Sequence, residues 1–216
     1  SLLKVGITGQ SGFIGYHLTQ YLRLHGDEIE VVPFDAAYFR DPDQLEQFVR
    51  QCDVVVHLAA MNRGPDDELF ATNVGLVQQL IEALERAGQT PHIIFSSSTQ
   101  EERDNAYGRS KREGARLLAA WAERNNARCT SLVIPNVFGP FGRPFYNSVV
   151  ATFCHQLTHD QEPRIDVDAT LPLISVQELA REIFRVIQGA YDAPVVCLNA
   201  TAEMKVSDIL ARLCEF

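Results

Sequence analysis

Tyr107 and Lys111 stand four residues apart in Tyr107-Gly108-Arg109-Ser110-Lys111, a spacing that puts both side chains on one face of a helix. A phenol titrates at about 10 and shuttles protons poorly at neutral pH. An ammonium beside it favours the phenolate and brings that value toward the working range. Upstream, Phe95-Ser96-Ser97-Ser98 closes an apolar run. A hydroxyl at such a strand end can hydrogen-bond the substrate oxygen that Tyr107 protonates or deprotonates.

A second group of residues could hold a phosphate. Thr8-Gly9-Gln10-Ser11-Gly12-Phe13-Ile14-Gly15 carries glycines in the pattern G-x-x-G-x-x-G between an expected strand and an expected helix. Small residues there let the backbone approach a pyrophosphate, and the N–H groups and dipole of the helix start, at Phe13 and Ile14, bind it. Asp35 follows Gly15 by twenty residues and ends the next strand. An acid at that place hydrogen-bonds the adenosine ribose; its bland reading is a strand-end turn residue. Asp35 alone favours NAD, because a carboxylate repels a 2′-phosphate, whereas Arg40 could pair with that phosphate. The cofactor is therefore NAD or NADP. Asp41-Pro42 also reads as the cap and first residue of the next helix.

These groups need a frame. Strands are expected at Leu3–Thr8, Ile29–Phe34, Val54–Leu58, His92–Ser96 and Thr130–Ile134. Helices are expected at Phe13–His25, Pro42–Gln51, Ala71–Ala87 and Tyr107–Asn125. Short, nearly continuous apolar strands alternating with amphipathic helices mean a doubly wound parallel sheet, a Rossmann-type α/β fold, with ligands at the carboxyl ends of the strands. After Pro135 the pattern loosens. A Gly- and Pro-rich structured loop over 136–147 leads to a helix at Ser148–Leu157 and an apolar run at Leu171–Val176. A helix Gln177–Gln188, a strand Val195–Leu198 and a helix Val206–Leu213 complete the chain. This gives a dinucleotide-binding domain over 1–135 and a small substrate lobe over 136–216, interleaved with the last sheet elements.

The composition sets outer limits. The chain has 216 residues, 46% of them apolar and 22% charged, with 19 basic against 28 acidic side chains and a net charge of −9. That balance argues against a nucleic-acid binder that works by neutralising phosphates. No apolar run could span a bilayer. Five scattered cysteines without a C-x-x-C pair read as reduced thiols of a cytoplasmic protein. His155 and His159 beside Cys154 have a spacing that could bind metal, but no further ligand is in sight and no metal is expected. Ser1-Leu2-Leu3-Lys4 runs straight into a strand with no signal peptide. A start at Ser and a stop inside a helix read as an excised piece of a longer protein.

Together these motifs resemble the extended short-chain dehydrogenase/reductases, the NAD-dependent epimerase/dehydratase group. The matching pieces are T-G-Q-S-G-F-I-G, F-R-D at 39–41, V-H-L-A-A at 56–60, Asn73, S-S-S at 96–98, Y-G-R-S-K and P-N-V-F-G-P at 135–140. The resemblance implies that Tyr107 is the acid/base, that Lys111 tunes it and holds the nicotinamide ribose, and that Ser98 polarises the carbonyl. It puts Asp41 near the adenine amine, and Leu58, Ala59, Ala60, Ser96 and Pro135 along the cofactor. Asn73 would brace the active-site strand.

Only eight residues separate Ser98 from Tyr107. With Asn62-Arg63, Asp104-Asn105-Ala106-Tyr107 and the run from Pro144 to Phe153, that short loop is similar to the reductase module of bifunctional capsule and O-antigen enzymes. Those enzymes act on UDP-2-acetamido-2,6-dideoxy-hexos-4-uloses. The likeness implies hydride delivery from NAD(P)H to a C4 ketone, with Arg63, Asn136 and Asn147 as sugar or diphosphate contacts or, equally, as loop-stabilising residues. It also implies a homodimer through the helices 71–87 and 107–125, and a cupin module following the reductase. Two departures stand out. The late arginine and V-D-D segment of the family are replaced by Leu171-Pro172-Leu173-Ile174-Ser175-Val176-Gln177-Glu178, and Thr99-Gln100-Glu101 lacks the Asp-Glu pair of 4,6-dehydratases. A 4-epimerase of the same fold and a non-catalytic dinucleotide sensor are the alternatives.

Overall fold

The computed structural model describes residues 1–102, 104–139 and 169–213. Among them the elements run β1 (Leu3–Thr8), α1 (Phe13–Arg23), β2 (Ile29–Val32), α2 (Pro42–Arg50), β3 (Val54–His57), α3 (Asp66–Ala87), β4 (His92–Ser98), α4 (Ala106–Arg124) and β5 (Cys129–Ile134). There follow β6 (Asn136–Phe138), β7 (Thr170–Ser175), α5 (Val176–Ile187), β8 (Val195–Cys197), β9 (Ala202–Lys205) and α6 (Val206–Leu213), with 3-10 turns at Ala36–Arg40 and Thr99–Glu102.

Six parallel strands pair in the order β2-β1-β3-β4-β5-β8. They are apolar on both faces because helices cover both. On one side α1 and α5 close over Val5, Ile7, Val54, Val56 and Ile94. On the other, α2, α3 and α4 close over Val55, Ile93 and Phe95, with Trp121 and Phe48 almost fully buried. This is the doubly wound α/β fold expected from the alternation of strand and helix runs. Because β2 and β3 flank β1 on opposite sides, the connections diverge above the carboxyl ends of β1 and β3, and a crevice must open there.

Element ends follow local chemistry. β2 stops at Val32, short of the expected Phe34, because Pro33 has no N–H for the ladder. α3 begins at Asp66 rather than Ala71, since Asp66, Asp67 and Glu68 suit the positive end of a helix even though the apolar period starts later. Asp41 caps α2 by accepting from the Asp43 and Gln44 N–H groups, with Pro42 in the first turn.

The later strands differ more from expectation. Asn136–Phe138, expected within a loop, pairs with β7, and β9 pairs with β7 in turn, forming a second, three-stranded sheet. α5 packs on α1, and β8 pairs with β5, so these two late elements return to the first sheet. The expected helix at 148–157, Cys154, His155, His159 and Asn147 lie outside the described residues.

Candidate active site

The turn between β1 and α1 is shaped by two glycines. Gly9 has φ of +73°, a left-handed conformation that favours glycine, and its carbonyl receives the Gly12 N–H at 3.0 Å. A Cβ on Gly15 would lie 2.0 Å from the Gly9 carbonyl oxygen, so α1 can start this close to the turn only with glycine there. No side chain caps α1, and its first turn holds no acid. The opening N–H groups of a helix have no intrahelical acceptors. Here they face a cradle that side chains would otherwise fill, which fits the pyrophosphate of a dinucleotide.

From that turn a cleft of about 740 Å³ runs along the carboxyl ends of β1, β3, β4 and β5. Its wall on the β2 side is Phe34, Ala36, Phe39 and Arg40; its floor includes Leu58, Ala59, Ala60 and Ser96; its far end gathers Ser98, Tyr107, Lys111, Pro135 and Asn136.

At that far end, α4 carries Tyr107 and Lys111 inward, capped by Asn105, whose Oδ1 accepts from the Gly108 N–H at 2.7 Å. Lys111 is 5% exposed. Its Nζ donates to the Ser96 carbonyl at 2.8 Å and to Ser96 Oγ at 3.4 Å, and lies 5.1 Å from the Phe95 ring centre and 5.6 Å from that of Tyr107. Ser96 Oγ in turn donates to the His57 carbonyl at 3.2 Å.

Burial pushes the Lys111 ammonium down to about 8 and the Tyr107 phenol up to about 12. Desolvation of the phenolate outweighs an ammonium that is spent on a Ser96 carbonyl and set over the ring. A group with that value holds its proton throughout the neutral range, as a general acid must.

The sequence matches the NAD dependent epimerase/dehydratase family over residues 5–196. The chain belongs to this family. It is 34% identical over 217 residues to UDP-2-acetamido-2,6-beta-L-arabino-hexul-4-ose reductase of Pseudomonas aeruginosa, an alignment that covers 99% of this chain and 58% of that protein. The crystal structure of the capsular polysaccharide assembling protein CapF from Staphylococcus aureus superposes with a TM-score of 0.70 at 28% identity, covering 98% of this chain and 57% of that one. RMD from Pseudomonas aeruginosa, solved with NADPH, shares the fold at a TM-score of 0.77 and 20% identity, over 97% and 80% of the two chains. The chain thus spans well under two thirds of the first two relatives' length.

Within this epimerase/dehydratase frame, most of the expected residues meet in the one cleft: Gly9, Ser11, Gly12, Phe13, Ile14, Gly15, Arg40, Leu58, Ala59, Ala60, Ser96, Ser98, Tyr107, Lys111, Pro135 and Asn136 all line it. Asp35 and Asp41 do not. The exposed Asp35 spends a carboxylate oxygen on the Ala37 N–H at 2.8 Å, capping the 3-10 turn, and Asp41 caps α2. Asn73 lies behind the cleft wall, taking the Met61 N–H at 2.6 Å and donating to the Met61 carbonyl and Ser110 Oγ. It thereby ties the loop after β3 to α4. Arg63 is exposed on that loop and does not line the cleft.

Sequence reasoning missed Met61, Asn62, Thr72, Leu76 and Ser97 on the cleft wall, and the buried His57 beneath it. Thr72 and Leu76 are one helical turn apart and flank Asn73, so the helix period through Asn73 was the available signal.

Proposed function

We propose that the chain is a nucleotide-sugar reductase module that reduces the 4-keto group of a UDP-2-acetamido-2,6-dideoxy-hexosulose for surface-polysaccharide synthesis. The observation that carries this reading is the meeting of the glycine turn with Ser98, Tyr107 and Lys111 in one cleft. The 34% identity to a reductase of that substrate class supports it. A reduced NAD or NADP would supply the hydride.

The chain's own residues would do the rest. The turn from Gly9 to Gly15 would bind the pyrophosphate, with Leu58, Ala59 and Ala60 beneath. Ser98 would orient the ketone oxygen. As hydride arrives at C4, that oxygen becomes an alkoxide and takes the Tyr107 proton. The phenolate left behind is stabilised by the Lys111 ammonium, and solvent later restores the proton. Within the same proposal, residues 136–216 carry the sugar, with Asn136 and Asn147 as contacts and Arg63, which does not line the cleft, reaching the sugar nucleotide from the loop at its edge. A homodimer through α3 and α4, a following cupin module and a cytoplasmic setting complete it. Among the described residues no helix is long and apolar enough to cross a membrane.

The test is to mix the protein with a UDP-4-keto-2,6-dideoxy-N-acetylhexosamine and NADH or NADPH. Stoichiometric loss of reduced-nicotinamide absorbance supports a reductase, and sugar conversion without net loss means an epimerase. Tyr107→Phe should lower kcat by a factor of about 100 or more while leaving dinucleotide binding intact. Turnover that survived this change would remove Tyr107 as the acid.

A further inference from the structure

The eight residues between Ser98 and Tyr107 do more than join a strand to a helix. The turn Thr99–Glu102 packs on the start of α4. Asp104 pairs with Arg109 at 2.9 Å, and the Asn105 cap fixes the helix start. Within this turn the Glu101 carboxylate accepts a hydrogen bond from Ser97 Oγ, and the Glu101 carbonyl accepts one from Arg112 Nη1 at 3.2 Å. Two consecutive serines of β4 therefore hold opposite charges: Ser96 receives the Lys111 ammonium and Ser97 anchors the Glu101 carboxylate.

We propose that Glu101 is a positioning residue, the fixed counter-charge that keeps buried Lys111 in its ammonium form for the proton transfer at Tyr107. A charge out of water needs a partner or it is neutralised. Lys111 has carbonyl, hydroxyl and ring partners, none of them charged. Among the described residues, the groups facing it are Tyr107 from its own helix, Phe95 and Ser96 from β4, His57 behind Ser96 on β3 and, through the adjacent Ser97, Glu101 from the turn. Burial holds His57 neutral, down at about 3, and Tyr107 keeps its proton, up at about 12. Glu101 is the carboxylate of this set, and its field pushes Lys111 back up against the burial that drives it down to about 8. Arg112, which faces Glu101, binds its carbonyl and leaves the carboxylate to Ser97. The shortness of the loop now has a purpose: it brings an acid from the strand end under the helix that carries the lysine.

The chain has three lysines, Lys4, Lys111 and Lys205. Lys4 and Lys205 are exposed, so carbon-13 labelling of the lysine ε position gives three NMR signals, one of which titrates well below the others. In Glu101→Gln that midpoint should fall by about one pH unit, with the Lys4 and Lys205 titrations and the Tm serving as controls of the fold. Ser97→Ala, which frees the carboxylate without removing it, should give a smaller fall, and it carries the test if the glutamine variant does not fold. A Lys111 midpoint unmoved in the variants that fold overturns the proposal. The kinetic consequence rests on the reductase reading: the alkaline limb of kcat should move down by the same interval in Glu101→Gln. Lack of ketone reduction by the unaltered protein would remove that reading alone, because the lysine titration needs no substrate.

Discussion

His57 lies 1% exposed between aromatic rings, 6.2 Å from Phe39 and 6.0 Å from Phe95, centre to centre. Thr8 Oγ1 accepts from the Leu58 and Ala59 N–H groups at 3.0 and 3.2 Å, which leaves its own proton for His57 Nδ1 at 2.7 Å. This network assigns His57 as neutral, with its proton on Nε2. Burial pushes His57 down to about 3, with the Lys111 charge adding to the effect, and burial with the Arg128 charge pushes His92 down to about 4.

Above about 6.5 both histidines are neutral folded or unfolded. As pH falls through that value the unfolded chain takes up protons the native one refuses, and stability drops toward the folded values. For His57 alone the loss is about 1.4 kcal/mol per pH unit. Urea midpoints between pH 7 and pH 4 should fall, and His57→Asn, whose amide oxygen can take the Thr8 proton, should flatten the slope by about one proton. A slope identical to that of the unaltered protein would remove His57 as its source. Nothing in the one-dimensional pattern revealed this. His57 reads as part of an apolar run, and only the folded partner, Thr8 at the end of β1, gives it a role. Tyr107 and Lys111 were legible for the opposite reason, since four-residue spacing on a helix fixes a shared face before any tertiary contact forms.

At the level of elements, the glycine turn makes the sharpest demand. A Cβ at Gly15 would stand 2.0 Å from the Gly9 oxygen and 2.8 Å from its carbonyl carbon. Both are backbone atoms, so the turn and the helix start must part. Gly15→Ala should cost about 1–3 kcal/mol of stability and more than about tenfold in dinucleotide affinity. Gly75 on α3 is the control, because a Cβ there meets nothing within 4 Å, and Gly75→Ala should stabilise by about 0.5–1 kcal/mol. Calorimetry and thermal melts on the two variants read both effects. Equal affinity in Gly15→Ala and the unaltered chain would mean that the turn holds no pyrophosphate.

Elements with a strong period, such as β1, α2 and α4, were readable to within a residue or two. β6 and β9 were not, because strands of three and four residues get their identity from pairing with β7 rather than from their own composition. The 3-10 turn at Thr99–Glu102 escaped for the same reason: it depends on packing against α4.

Across the whole molecule, the strand order converts local signals into one site. The glycine turn follows β1, the Leu58–Ala60 floor follows β3, the serines end β4 and Pro135 follows β5. These strands are hydrogen-bonded neighbours, so their carboxyl ends form a continuous rim. A ligand lying along that rim bridges elements far apart in sequence and should stabilise the chain as one unit. At a concentration 100 times its Kd, the preferred dinucleotide should add about 2.7 kcal/mol, which for a chain of this size raises Tm by about 5–10 °C. In the proposed reading UDP would bind on the β6 side of the cleft, where Asn136 Nδ2 donates to the Pro172 carbonyl at 3.4 Å and couples β6 to β7. Added to the dinucleotide complex, UDP should therefore raise Tm again. Scanning calorimetry with NADH, NADPH and UDP, singly and paired, separates the contributions. A dinucleotide shift with no further UDP shift would leave the cofactor rim standing and deny the nucleotide-sugar end. No shift with either dinucleotide would mean that the rim, though assembled from the right residues, does not bind what its geometry fits.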